Sequence, residues 1–570
     1  MKTFKTALLS ILAAFGMTGG LYAAMVVDSS AKTVTLDANT EYELSADTTG
    51  VTSFTLNEGS VLDLKGHNFT LTGKFICGTS LCVVTNSDET TTSTITLNCR
   101  DQNNPRFGAQ MTNVTFRGNV KLHLNANPMG NDRAVGFGSM ESTHTGGTVL
   151  EGYVTDKSDS YASFSKTNAF GYGALTLKGG SLISYNGDRD VEFPWPAISS
   201  ELTGGQTATT NYFYNNAKNS VTITGAVNVA ENTILHLFQR QNTGGKHFTL
   251  SGTLSGVKGT LSLKDAISNS RMYLANMDGM KDGSLVVGDK TDVRLSKAAK
   301  DSVYCIGSLA SSEDVTEENA SYLRYDLSYG YRLNLSVGWN NQDSTFWGHI
   351  NKNGDQNIAL YKVGSGALTL GGVNSYSRHT EISNGVLRVI GAGTVGNTNE
   401  TASIVFAGGT LAFGDGDEAP SFTNYAARIK NSTIAPISID TGSNTIVWDT
   451  ALDSSNTGGL TKKGAGTLTL SAGTGYSGAT RIEAGALVIG AAFDASTATI
   501  VANDLAAAAQ NDYMLAATSF VNQTKPTLET TETESNKARY KLVKKVVDIG
   551  GVTYIAYGVE RRKGFVLIIQ

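Results

Sequence analysis

Three carboxylates stand close together at Asp188, Asp190 and Glu192, with Arg189 between them and Trp195 just beyond. Acids beside a guanidinium and an indole are the parts of a sugar site, where the ring stacks on the sugar and the charged groups bond its hydroxyls. A glycoside hydrolase would ask more of them, two carboxylates about 5 to 9.5 Å apart. Asp188, Arg189, Asp190 and Trp195 are therefore the candidate glycan contacts. The plainer reading is a solvated loop holding one half-buried Trp, which is the commoner fate of that residue and the preferred one.

The other chemistry-bearing groups are weaker. Gly414-Asp415-Gly416-Asp417-Glu418 offers oxygen ligands to Ca²⁺, yet it lacks the full glycine-rich nonapeptide of Ca²⁺-binding β-helices, so a polar turn is favoured. Cys77, Cys82, Cys99 and Cys305 allow disulfides in an oxidising compartment, as Cys77 to Cys82 or Cys82 to Cys99, and their spacing selects neither. His67 alone lies near that group, and no paired Cys-x-x-Cys set is present for zinc. There is no Gly-x-Ser-x-Gly elbow and no His-Glu-x-x-His pair. Gly364-Ser365-Gly366 opens a strand pattern rather than the helix a dinucleotide requires. The residues thus assign no catalytic group, no cofactor and no metal ligand.

What would position any such site is a repeated phrase: a glycine, one small or polar residue, then two large apolar residues one position apart. Its ten copies begin at Gly118, Gly173, Gly225, Gly259, Gly283, Gly366, Gly385, Gly409, Gly466 and Gly485. Alternate side chains of a strand point to opposite faces, so Leu368 and Leu370 look one way while Ala367 and Thr369 look the other. The glycine supplies a bend before the strand begins. One such rung cannot bury its own apolar edge, so rungs must stack into a solenoid.

Two longer segments sharpen the repeat. Residues 360–390 align without a gap on residues one hundred places later, keeping among others Gly366, Leu368, Leu370, Gly385 and Leu387 as Gly466, Leu468, Leu470, Gly485 and Leu487. Tyr376 and Tyr476 also match, which argues for a corner role rather than a ligand contact. Acids do not match: Glu381 corresponds to Arg481 and Ser383 to Glu483, so the matching places of the two repeats pair no carboxylates. With coils of roughly 20 to 30 residues, the body would have about 20 turns.

Composition agrees. The chain of 570 residues holds 63 glycines but 7 prolines, and its charged fraction is 17%. Few prolines suit long ladders, where each missing backbone donor weakens a rung. A net charge of -5 argues against nucleic acid as a partner. Lys2 and Lys5, the apolar run Ala7 to Phe15 and the Leu21-Tyr22-Ala23-Ala24 end read as an export signal over 1–24. No later segment approaches the roughly 20 apolar residues of a spanning helix, so no integral membrane segment is expected after signal removal. Residues 25–350 then read as an N-terminal solenoid with irregular insertions, among them the Phe193-Pro194-Trp195-Pro196 stretch, expected to loop out, and Ser311 to Tyr322 with Glu317 and Glu318. Residues 351–490 hold the two strong repeats. Residues 491–570 read as a β-rich C-terminal cap, with Gly550-Gly551 as a hairpin turn and Phe565 to Ile568 in a closing strand.

Lys463-Gly464-Ala465-Gly466-Thr467-Leu468-Thr469-Leu470, with Tyr476-Ser477-Gly478-Ala479-Thr480 and Gly485-Ala486-Leu487, resembles the autotransporter-associated β-strand repeat of bacterial autotransporter passengers. The earlier copy departs from the pattern with Arg378-His379 where a glycine pair is usual. The resemblance implies an all-β right-handed parallel β-helix, export by a Gram-negative bacterium, and adhesion or other surface contact. An autotransporter also carries a membrane barrel of about 12 strands, whereas residues 491–570 would supply at most about 8 at roughly 10 residues each. A separate outer-membrane component, another exit route or a free secreted form is therefore expected. The expected function is a secreted or cell-surface, non-catalytic β-solenoid, acting in adhesion or surface architecture through many weak contacts with host or polysaccharide ligands. The alternative is a polysaccharide-degrading β-helix enzyme with its site at Asp188 to Trp195.

Overall fold

The computed structural model describes residues 25–98, 113–125, 135–138, 140–152, 162–240, 245–266, 271–275, 279–296, 302–313, 315–316, 319–325, 332–350, 357–397 and 402–563. The expected export signal at 1–24, Cys99, Glu317, Glu318 and Phe565 to Ile568 lie outside the described residues. Two compact units divide the chain, Met1–Asn276 and Met277–Gln570. Both are all-β and built of parallel strands stacked turn upon turn, a β-solenoid of about 18 turns. Among the described residues the α-helices are two four-residue turns, Leu505–Ala508 and Glu534–Lys537.

In the first unit, strands Leu182–Tyr185, Thr209–Asn215, Thr233–Gln239 and Thr260–Asp265 follow one another in a single sheet, each parallel to the next. Between them the chain visits two other faces, where Val191–Phe193 pairs with Val221–Ile223 and Ala197–Glu201 pairs with Ala226–Val229. Each turn here therefore lays one strand on each of three faces. Neighbours in a ladder come from successive turns, so the ladder hydrogen bonds of a rung go to the rung before or after it.

The repeated phrase is the local cause. Each of its ten copies opens or lies within a strand, among them Val120–Asn125, Leu175–Lys178, Thr260–Asp265, Ala367–Leu370 and Thr467–Leu470. In the second unit Leu368 pairs with Leu387, and Leu468 with Leu487, one turn apart. All four leucines are buried, while Thr369 and Thr469 alternate outward. Burying one such leucine stabilises a rung by about 1.5 to 3 kcal/mol. The glycines serve two purposes. Gly485 turns the chain at φ 61, whereas Gly466 is not left-handed and is needed because a Cβ there would stand 2.0 Å from the Asn444 carbonyl of the preceding turn.

One expectation is overturned. Phe193-Pro194-Trp195-Pro196 does not loop out: Val191–Phe193 is a strand and Trp195 is 1% exposed. The rings of Phe193 and Trp195 stack with centroids 4.3 Å apart, and Phe164, Phe170 and Phe213 close around them. A coil has to be filled with side chains, and here aromatic volume fills a corner that the leucines leave wide.

Parallel stacking in the second unit gives way at Leu515–Phe520, which pairs parallel with Ala486–Phe493 on one side and antiparallel with Val552–Arg561 on the other. Val552–Arg561 in turn forms a hairpin with Tyr540–Ile549 through Gly550 and Gly551, both at positive φ, as a two-residue turn requires.

Candidate ligand-binding face

The corner that follows Leu182–Tyr185 carries the sequence candidates and separates them. Asp188, Arg189 and Asp190 are exposed. Asp190 accepts the Ser220 N–H at 2.9 Å and the Lys246 ammonium at 3.0 Å, which hold its carboxyl below the usual range. The Tyr185 hydroxyl donates to the Arg189 carbonyl. Asp188 lines an open cleft of about 370 Å³ together with Asn186, Asn216, Lys218 and Asn219. Trp195 is not there. Its ring is sealed in the core and offers no face to a sugar, which corrects its place among the candidate contacts.

This cleft suits hydrogen bonding rather than hydrolysis. Asp188 is the one carboxylate among the lining residues, and cleavage of a glycosidic bond uses two. The other acidic group is likewise spent on structure. Asp415 accepts both the backbone N–H and the hydroxyl of Ser443 from the next turn, while Gly416–Glu418 forms one 3₁₀ turn. Among the described residues no group of three or more His, Cys, Asp or Glu is placed to hold a metal ion. His144 is buried against Phe116 and bonded to the Thr148 hydroxyl at 2.9 Å, and burial pushes its pKa down to about 4. The Cys77 and Cys82 sulfurs lie 3.5 Å apart as thiols, and burial with the neighbouring sulfur pushes Cys77 up to about 12.

A feature that no sequence motif marked lies on the outer side of the same sheet. In Thr209–Asn215 and Thr233–Gln239 the residues facing in are Asn211, Phe213 and Asn215, then Thr233, Leu235, Leu237 and Gln239. The alternate positions therefore face out, and the register sets Tyr212 beside His236 and Tyr214 beside Phe238. Their rings form one half-buried aromatic patch, with centroids 5.7 Å apart for Tyr212 and His236 and 5.3 Å for Tyr214 and Phe238. The Arg240 guanidinium lies 5.9 Å from the Tyr214 ring centre, and Lys264 occupies the next rung beside Phe238. Partial burial pushes the Tyr214 hydroxyl up, so it stays a neutral hydrogen-bonding group at ordinary pH. Alternating aromatics in Tyr212-Phe213-Tyr214 and His236-Leu237-Phe238 were the available sequence signal. Only the register turns two separate pairs into a surface.

The strong repeats explain themselves as architecture. Lys362 and Lys462 are buried at equivalent corners, and each ammonium donates to three carbonyls: Val363, Gly364 and Asn384 in one copy, Lys463, Gly464 and Ala484 in the other. Burial pushes both down to about 8. Tyr376 and Tyr476 are sealed inside and hydrogen-bonded to Thr380 and Thr480 at 2.8 and 2.7 Å, so their repetition serves geometry.

The same segments carry the likeness to a known repeat family. The passenger-associated-transport-repeat family matches residues 360–389 and 460–489. The chain is also similar to the adhesin BmaC autotransporter of Brucella suis biovar 1 (strain 1330), at 31% identity over 141 residues, covering 23% of this chain and 4% of that protein. No solved structure matches the chain. With its two passenger-associated-transport repeats stacked as rungs of a parallel β-solenoid, the chain is an autotransporter-passenger-like repeat protein.

Proposed function

We propose that the protein is exported to the bacterial surface or beyond it and acts there as a non-catalytic contact module of the adhesin type. The observation that carries this reading is the stacking, on successive turns, of outward polar and aromatic side chains: Tyr212, His236 and Ser262 stand in one row, and Tyr214, Phe238 and Lys264 in the next. Rows of this kind repeat a contact along a stiff support, so that weak single sites add through effective concentration. The passenger repeats and the likeness to a protein named as an adhesin autotransporter support the surface placement. No helix among the described residues is long and apolar enough to cross a membrane. An outer-membrane translocator is the partner that the passenger likeness favours.

Within this reading, residues 25–350 and 351–490 support the contact surface, and residues 491–570 act as the cap whose antiparallel hairpin occupies the edge of Leu515–Phe520. A polysaccharide-degrading activity lacks support at the Asp188 cleft, with its single carboxylate. The test is retention of purified protein on bacterial and host cell surfaces, mucin and polysaccharides. Binding above that of an unrelated β-solenoid is expected. Retention on none of them removes the adhesive role and leaves a scaffold.

A further inference from the structure

We propose that the outer face formed by Tyr212, Tyr214, His236 and Phe238 binds acidic polysaccharide, with pyranose rings lying on the aromatic patch and uronate carboxylates meeting Arg240 and Lys264. The proposal rests on the surface-contact reading and names the ligand and the residues that would recognise it.

Three observations lead there. First, the aromatic rings are clustered across two adjacent rungs although they face outward, with five ring pairs between 5.3 and 6.4 Å. A sheet face turned to water is ordinarily built of Thr, Ser and charged residues, and the neighbouring positions here supply them as Thr210, Thr260 and Ser262. Flat apolar rings beside hydroxyl-bearing neighbours match a pyranose, which has one C–H-rich face and a rim of hydroxyls.

Second, the outward charge on the four strands of this face has one sign. The outward positions of Leu182–Tyr185, Thr209–Asn215, Thr233–Gln239 and Thr260–Asp265 include Lys264 and no carboxylate, and Asp265 at the end of the last strand faces inward. Arg240 follows directly on Gln239 and is exposed. The whole chain carries a net charge of -5, so a carboxylate-free face bearing two cations is a local departure that favours an anionic partner.

Third, the face continues into the polar cleft. Asn216 follows Asn215 at the end of Thr209–Asn215, and its side-chain amide donates to the hydroxyl of Ser184, a buried residue paired with Tyr214. The same residue lines the cleft with Asp188, Lys218 and Asn219. Patch and cleft are therefore joined through Asn216.

The test is binding of the full-length protein to oligosaccharides of alginate, a polyuronate, with dextran as the neutral comparison, across a salt series. Alginate binding that weakens as salt rises is expected. Tyr214→Ala with Phe238→Ala should lower affinity at least tenfold, and Arg240→Gln with Lys264→Gln should lower it and flatten the salt dependence. Circular dichroism checks that each variant keeps its strands. Should the aromatic double variant lose its melting transition, the charge variant carries the test alone. Equal binding to dextran, no binding to alginate, or alginate binding unchanged by these substitutions overturns the proposal. Cell adhesion that persists without alginate binding sinks this inference and spares the surface-contact reading; loss of all adhesion sinks that reading itself.

Discussion

Lys462 shows how much one side chain does in a corner of this fold. Its ammonium satisfies the carbonyls of Gly464 and Ala484 as well as that of Lys463, which also accepts the Thr441 N–H. Lys462→Met keeps the stem and removes the donors. Two half-buried carbonyls then lose a partner, and the variant is expected to be less stable by about 2 kcal/mol, measured by urea unfolding. The pH dependence has a definite sign. Folding lowers this pKa to about 8, against about 10.4 for a free lysine. Between those values the unfolded chain holds protons that the folded chain has released, so this group makes stability rise with pH. From pH 8 to 10 the wild type should gain stability relative to Lys462→Met. A parallel pH course in the two proteins would show that the ammonium is not desolvated. The sequence displayed the repeat of Lys362 as Lys462, but a lysine in a strand reads as solvent-facing until the tertiary structure folds it back onto carbonyls.

At the scale of a strand, alternation made the inner and outer faces legible. Leu468 lies within the stack and Thr469 outside it, as the phrase indicates. Leu468→Asp should abolish the cooperative melt of the surrounding coils, because an unpaired buried carboxylate costs several kcal/mol. Thr469→Asp should melt within a few degrees of the wild type. Equal melting of the two variants would reverse the assigned faces. Legibility failed at Trp195, where two prolines and nearby acids look like an excursion to solvent. The prolines instead turn a corner while the two aromatic rings fill it. It also failed at Tyr212 and His236, which become neighbours only through pairing of strands a full turn apart.

The molecule as a whole must avoid polymerising through its sheet edges. Tyr540–Ile549 is the outermost strand of its sheet and carries Lys541, Lys544 and Lys545. Lysines on an edge oppose pairing with a second molecule, because stacking the edges would bring like charges together. Replacing all three with Thr is expected to give concentration-dependent self-association in sedimentation or light scattering while the monomer's stability changes little. A variant that stays monomeric at high concentration would assign protection of this edge to the hairpin's geometry rather than to its charge.

By itself the sequence determined the architecture: a parallel solenoid follows from short strands that alternate inside and outside, are punctuated by glycine and recur too often for one core. Those are local properties, written in adjacent residues. Which outward side chains meet was decided by the tertiary structure alone. Coil length varies from turn to turn, with Tyr212 lying against Leu182 on one side and His236 on the other at unequal sequence distances. No fixed period reports that register. It is chosen where the inward side chains of successive rungs pack together, and the outer face is the consequence of that choice.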